Sequence, residues 1–264
     1  MLIIGERLSI ISTKVKDAIL KRDKKPIQQI AIEQWKAGAH MIEANIGPAE
    51  DDGERLMEWI VTTIQETVPL PISLDTTNPK AMEAGLKIHN NEWGKPLINS
   101  TSLDPDRFIM FELASKYNTP IIALTVGKGG LPRDAEERVE IAVQLMEKAA
   151  EYGISLEDIY LDPLVLQIST FQNQAREVLR SIKLFQQLND PPMKTIVGLS
   201  NLSNGCPKEI RPILNRYFLA LLIYEGLSAA IVNPSEVIEV IKTINVITVK
   251  FSMPIHILKY RGEK

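Results

Sequence analysis

PISLDTTNP, residues 71–79, runs from an apolar stretch into a carboxylate and then into Thr-Thr-Asn-Pro. Asn78 followed by Pro79 reads as the cap and first residue of a helix continuing at Lys80. The apolar residues ahead of it are too few for a helix and nearly continuous, as in a parallel strand buried on both faces. The stretch is therefore a strand feeding directly into a helix. Asp75 has no capping job in that arrangement, so a carboxylate at a strand end needs another reason.

Working outward, similar short apolar runs occur at 2–4, 41–45, 96–99, 120–125, 159–162, 195–199 and 229–232. Helical spacing fills the intervals at 54–68, 107–117, 135–152, 176–188 and 211–225. Eight such units at about thirty residues each match a (β/α)8 TIM barrel better than a doubly wound open sheet. No Gly/Ser-rich linker or charge block divides the chain, so residues 1–264 read as one domain of the α/β class.

Composition narrows the function. The chain has 264 residues, 45% hydrophobic and 24% charged, with a formal net charge of -3. That balance excludes the basic footprint of a nucleic-acid binder. The opening MLIIGERLSI meets Glu6 and Arg7 too early for a signal peptide, and no run reaches membrane-spanning length; the expected compartment is the cytoplasm. Cys206 is the only cysteine, and His40, His89 and His256 lie at a strand start, a helix end and the tail, so no metal site is expected. Cys206 and the tryptophans Trp35, Trp59 and Trp93 read as packing residues.

In a barrel the site is built where strands run into the βα loops. Those positions hold Asn45, Asp75, Asn99, Asp162 and Asn201. Taken singly, an Asp or Asn at a strand end more often makes a local turn, as Asn78-Pro79 and Asp104-Pro105 do. Asp104 is free to cap the helix after Asn99, and LVLQI after Asp162-Pro163 does not begin as a capped helix. Five exits of one polar class point to a binding rim instead. Carboxylates accept in pairs and amides both donate and accept, which suits the edge of a flat heterocycle bearing NH, NH2 and C=O groups. GKGGLP at 127–132 lacks phosphate-loop spacing and reads as a flexible loop able to reach a ligand's tail.

Seven segments then appear in order: IGER at 4–7, EANIGPA at 43–49, LDTTN at 74–78, INSTS at 98–102, LDPL at 161–164, GLSNLS at 198–203 and RPILNRYFL at 211–219. Together they resemble the methyltetrahydrofolate:corrinoid protein methyltransferases, pterin-binding barrels related to the folate module of cobalamin-dependent methionine synthase. The resemblance runs to about Asn233. It implies that Asp75, Asn99 and Asp162 hydrogen-bond the pterin, with Glu6 and Asn45 in the matching strand-end motifs. It makes Asn201 the catalytic amide near N5, on a loop shaped by Gly198 and Ser200. Tetrahydrofolate or methyltetrahydrofolate is then substrate, a corrinoid comes on a separate protein, and two copies of the chain pair as a homodimer. Ser9 stands where the family has asparagine, Asn204 where a glutamine is common, and the sequence after Thr248 departs from the family pattern. Two rivals share the pterin site. Dihydropteroate synthase resembles this chain in fold but calls for a Lys near the seventh strand and Ser-x-Arg near the eighth, where GLSNLS and AAIVNP stand; a non-catalytic folate-binding protein would not need Asn201.

Overall fold

The computed structural model describes residues 1–248. His256 and the segment following Thr248 lie outside the described residues. Eight parallel strands close into a barrel in chain order: β1 (Leu2–Gly5), β2 (Met41–Asn45), β3 (Ile72–Asp75), β4 (Leu97–Thr101), β5 (Ile121–Leu124), β6 (Ile159–Asp162), β7 (Lys194–Gly198) and β8 (Ala229–Val232). All eight apolar runs are strands, so the (β/α)8 fold is confirmed. Helices α1 (Thr13–Leu20) and α2 (Lys24–Lys36) both follow β1; then come α3 (Gly53–Gln65), α4 (Pro79–Ile88), α5 (Ile109–Tyr117), α6 (Ala135–Glu151), α7 (Gln172–Phe185), α8 (Arg211–Tyr224) and α9 (Pro234–Thr248).

Local chemistry explains the joints. Asn78 caps α4 by accepting from Lys80 N and Ala81 N, with Pro79 opening the helix. That leaves Asp75 outside the cap. Asp104 differs from the expectation: it precedes a short 3-10 turn, Pro105–Arg107, and its side chain makes no cap bond. Helix α7 starts at Gln172, ahead of the Arg176 read from periodicity.

Alternation along each strand sets what faces inward. Ile4, Met41, Leu97, Ile122, Ile196, Ala229 and Ile231 form a buried cluster in the barrel. Two residues further along the same strands stand Glu6, Glu43, Asn99, Gly198 and Asn233. The barrel is thus apolar at its lower layers and polar at its carboxyl end. The outward residues, among them Ile42, Ala44, Ile72, Leu74 and Ile98, join helix residues such as Met57, Ile60 and Phe111 in the larger core. Cys206 is buried, as expected, whereas Trp35 is 40% exposed and does not serve as core.

Candidate functional site

Strand register aligns the first part of the site. Asn45 pairs with Asp75 and Asp75 with Asn99, so three polar side chains stand abreast on β2, β3 and β4. Asp162 ends β6 across the barrel, in register with Leu124 of β5. A cavity of about 840 Å³ opens above them. Glu6, Asn45, Asp75, Asn99, Asp162, Gly198, Ser200 and Asn201, the whole set expected from sequence, line that one cavity.

Hydrogen bonds connect these groups in acid–amide pairs. Asn45 Nδ2 donates to Asp75 Oδ2, while Asn45 Oδ1 accepts from Gly47 N at 3.1 Å. Asn99 Nδ2 donates to Glu43 Oε1 at 3.0 Å, which leaves its carbonyl oxygen available. Ser200 Oγ donates to Glu6 Oε1 at 2.6 Å. Asp162 Oδ1 accepts from Leu164 N at 2.8 Å. Leu164 holds φ 62°, a left-handed conformation uncommon for leucine, and so brings that N–H back over the carboxylate.

Burial without ion pairs sets the electrostatics. Among the described residues Glu6, Glu43, Asp75 and Asp162 form no ion pair. Desolvation is the main cause that raises Asp162 to about 7 and Glu6 to about 7. Asp75 is raised to about 6, again chiefly by burial, with the Asn45 bond and the Arg107 charge opposing the shift. Glu43 is pushed well above the carboxylate range by burial and then by the charges of Asp75 and Glu6. A cup of this kind holds its protons to higher pH than ordinary carboxylates do, and its ionised form is a strong acceptor for a ligand that brings N–H donors.

Sequence reasoning missed three residues that shape the cup. Glu43 is an acid within an apolar strand, two positions before Asn45, and strand alternation alone would have turned it inward. Arg107 donates to Thr77 O at 2.9 Å and to Ser100 O, tying together the loops after β3 and β4 behind Asp75. Arg138 is fully buried and donates to Pro163 O at 2.6 Å, Asp134 O at 3.0 Å and Gln174 Oε1 at 2.7 Å, bracing the loop after Asp162. Nothing local in the sequence marks either arginine. In the glycine-rich loop after β5, Gly127, Lys128, Gly129 and Gly130 line a separate groove of about 610 Å³ with residues of α6.

At the β7 exit, Asn201 is exposed on a 3-10 turn, Leu199–Ser203. A Cβ on Gly198 would sit 3.1 Å from Asn201 Nδ2, so glycine gives that amide its room. Ser9 extends the β1–β2 pairing through a bridge to Asn45. Asn204 lies beside the same cavity.

The model of the family described as pterin binding enzyme matches residues 6–233. The chain belongs to that family. Within it, the chain is 28% identical over 239 residues to a methylcorrinoid:tetrahydrofolate methyltransferase of Eubacterium limosum, covering 89% of this chain and 86% of that protein. It is 29% identical over 251 and 249 residues to methionine synthases of Mycobacterium leprae and Mycobacterium tuberculosis, spanning 21% of the length of each. Among solved structures, a dihydropteroate synthase of Coxiella burnetii in complex with pteroic acid superposes with a TM-score of 0.67 at 17% identity, covering 93% of this chain and 92% of that one. One from Xanthomonas albilineans in complex with 7,8-dihydropteroate gives 0.65 at 15%, with coverages of 95% and 93%. At those identities the likeness is one of fold. No helix among the described residues is long and apolar enough to cross a membrane, and none of their His, Cys, Asp and Glu side chains cluster as a metal-holding group of three or more.

Proposed function

We propose that this pterin-binding barrel moves a methyl group between N5 of methyltetrahydrofolate and the cobalt of a corrinoid carried by a separate protein. The observation that carries the reading is the exposed amide of Asn201 lining one cavity with buried carboxyls and amides, with Gly198 and Asn233 at the β7 and β8 exits. The similarity to a methylcorrinoid:tetrahydrofolate methyltransferase over most of both chains supports it.

In this reading Asp75, Asn99 and Asp162 hold the edge of the pterin ring, and Glu43 fixes which way the Asn99 amide faces. Glu6 and Asn45 hold Ser200 and Asp75 in place. The N5–CH3 bond breaks as the methyl passes to cobalt, and N5 keeps the electron pair and takes a proton from solvent. An amine is a poor leaving group unless it gains positive character, so a donor aimed at N5 counts most at the transition state. Asn201 supplies that donor. It is no acid at neutral pH, and its exposed position lets water deliver the proton. The open mouth is where the corrinoid protein docks, and two chains form the homodimer.

The decisive assay offers the protein methyltetrahydrofolate with a reduced corrinoid protein and, separately, a pterin diphosphate with p-aminobenzoate. Methyl transfer is the expected result. Condensation of the second pair would make the protein a dihydropteroate synthase, and tight folate binding with neither reaction would make it a carrier. Asn201→Ala is expected to lower kcat by about a hundredfold while changing folate Kd less than about threefold. Equal losses in both would remove Asn201 from the chemistry.

A further inference from the structure

Helix α8 departs from the pattern of its neighbours. The exposed residues of α6 include Glu136, Glu140 and Glu147, and those of α7 include Arg176, Arg180 and Lys183. On α8 the exposed residues are Ile213, Tyr217, Leu221 and Tyr224, with Ile210 just ahead of them at the N-cap in helical backbone conformation. Tyr217 is 73% and Tyr224 78% exposed, and Ile210, Ile213 and Leu221 lie between 42% and 52%. Arg216, the one exposed charge within the helix, donates through Nε to Glu236 O of α9 at 3.0 Å. The other side of α8 is also apolar: Phe218, Leu219 and Leu222 are buried in a core cluster with Val197 of β7 and Ala230 of β8. A helix apolar on both sides belongs to a buried environment, and here only one side has one.

The exposed row is symmetric about Tyr217. Ile213 and Leu221 stand one turn to either side of it, and Ile210 and Tyr224 two turns. Positions seven apart drift by only about 20° around a helix, so the row keeps to one face. Laid antiparallel on a copy of itself about a two-fold axis, it sets Tyr217 against its counterpart, Ile213 against Leu221 and Ile210 against Tyr224. None of the five is charged, so the row offers an unrelated partner no charge to register on, whereas a copy brings the matching spacing. The area agrees: the five residues expose on the order of 600 Å², and a stable dimer takes about 800 Å² from each chain.

We infer that the outer face of α8 is the surface on which a second copy of this chain docks, the two helices crossing antiparallel at Tyr217. The inference gives the pairing of chains in the proposed function its surface, and it holds whichever ligand the mouth takes. The two tyrosines are the large anchors, and the aliphatic residues between them exclude water from the seam. One helix then has two tasks, because Arg211, Pro212 and Asn215 line the mouth cavity while the row from Ile210 to Tyr224 pairs the chains.

Sedimentation of the 264-residue chain, with no folate or corrinoid added, tests it. The two-chain mass is expected at about 10 μM protein. Tyr217→Glu is expected to raise the dissociation constant at least about thirtyfold, because the two-fold axis sets the two new carboxylates against each other. Should that variant fail to fold, Tyr217→Cys decides: a short bismaleimide should join it to its counterpart, while Lys183→Cys on α7 gives no such product. Cys206, the only native cysteine, is buried, so the native protein serves as the blank. A single-chain mass for the native protein would overturn the inference. So would a dimer that Tyr217→Glu leaves intact, or a Tyr217→Cys variant that does not cross-link, since either puts the pairing on another face. Methyl transfer enters none of these measurements, so their failure and the failure of the folate reading are told apart.

Discussion

Carboxyl groups behave oppositely in two regions of this barrel. On the flanks, Glu83 accepts from Lys116 Nζ at 2.6 Å and Tyr117 Oη at 3.0 Å, and these partners hold its pKa below the usual range. Glu137, bonded by the Arg133 backbone N–H and then its guanidinium, and Glu33, bonded by Gln29 and Arg7, are lowered in the same way. At the mouth, Glu6, Glu43, Asp75 and Asp162 are raised, because burial there has removed water without adding a cation within ion-pair distance. The flank acids suit the folded protein as it stands. The mouth acids carry an unfavourable desolvation that a donor-rich ligand relieves, so the difference separates what holds the fold from what the fold holds ready.

The sharpest way to break that comparison is to remove charge at the mouth. Asp75→Asn and Asp162→Asn should each weaken folate binding about ten- to hundredfold, since a charged hydrogen bond to the ring becomes a neutral one. The same variants should be more stable than the native protein, by on the order of 2 kcal/mol at pH 8. The sign follows from linkage: an acid whose folded pKa is raised keeps its proton longer in the folded state, so its penalty appears as pH rises from about 4 through about 6 to 7. The gain in Tm should therefore be largest at pH 8, shrink as pH falls, and approach zero only at or below about pH 4. A pH-independent difference, or a loss of stability, would show that the mouth acids are structural.

Gly198→Ala is a smaller perturbation that separates the rim from the floor. The new methyl meets Asn201 Nδ2 at 3.1 Å and displaces the amide. Transfer should slow about tenfold, with folate affinity and Tm little changed. Loss of binding in step with rate would mean that the loop positions the ring as well. Smallest of all, Glu83→Gln on the flank should lower Tm by no more than about 2 °C and leave activity untouched, as expected for an exposed, solvent-screened pair. An activity loss there would erase the distinction between the two regions.

Much of the fold was legible because each strand is a short apolar run, and several, such as β2, β3 and β6, end on an Asn or Asp, a pattern that survives reading one segment at a time. Asp75 stood out through Asn78-Pro79, which took over the capping role and left the acid unexplained. Asp162 stood out because LVLQI could not begin a capped helix, and α7 indeed waits until Gln172. Glu43 escaped attention because MIEA reads as apolar filler until alternation from Asn45 is applied. Arg107 and Arg138 were beyond reach, since each reaches a backbone carbonyl of another βα loop, Thr77 O and Pro163 O. The two helices after β1 were likewise set by tertiary packing.

The central claim is that the mouth carboxyls grip the pterin in their ionised form after resting partly protonated. Folate binding measured calorimetrically at pH 6 and pH 8.5, in buffers of different ionisation enthalpy, tests it directly. The account predicts release of about one proton per folate at pH 6, nearly none at pH 8.5, and tighter binding at the higher pH. Equal affinity at both values with no proton released would contradict it.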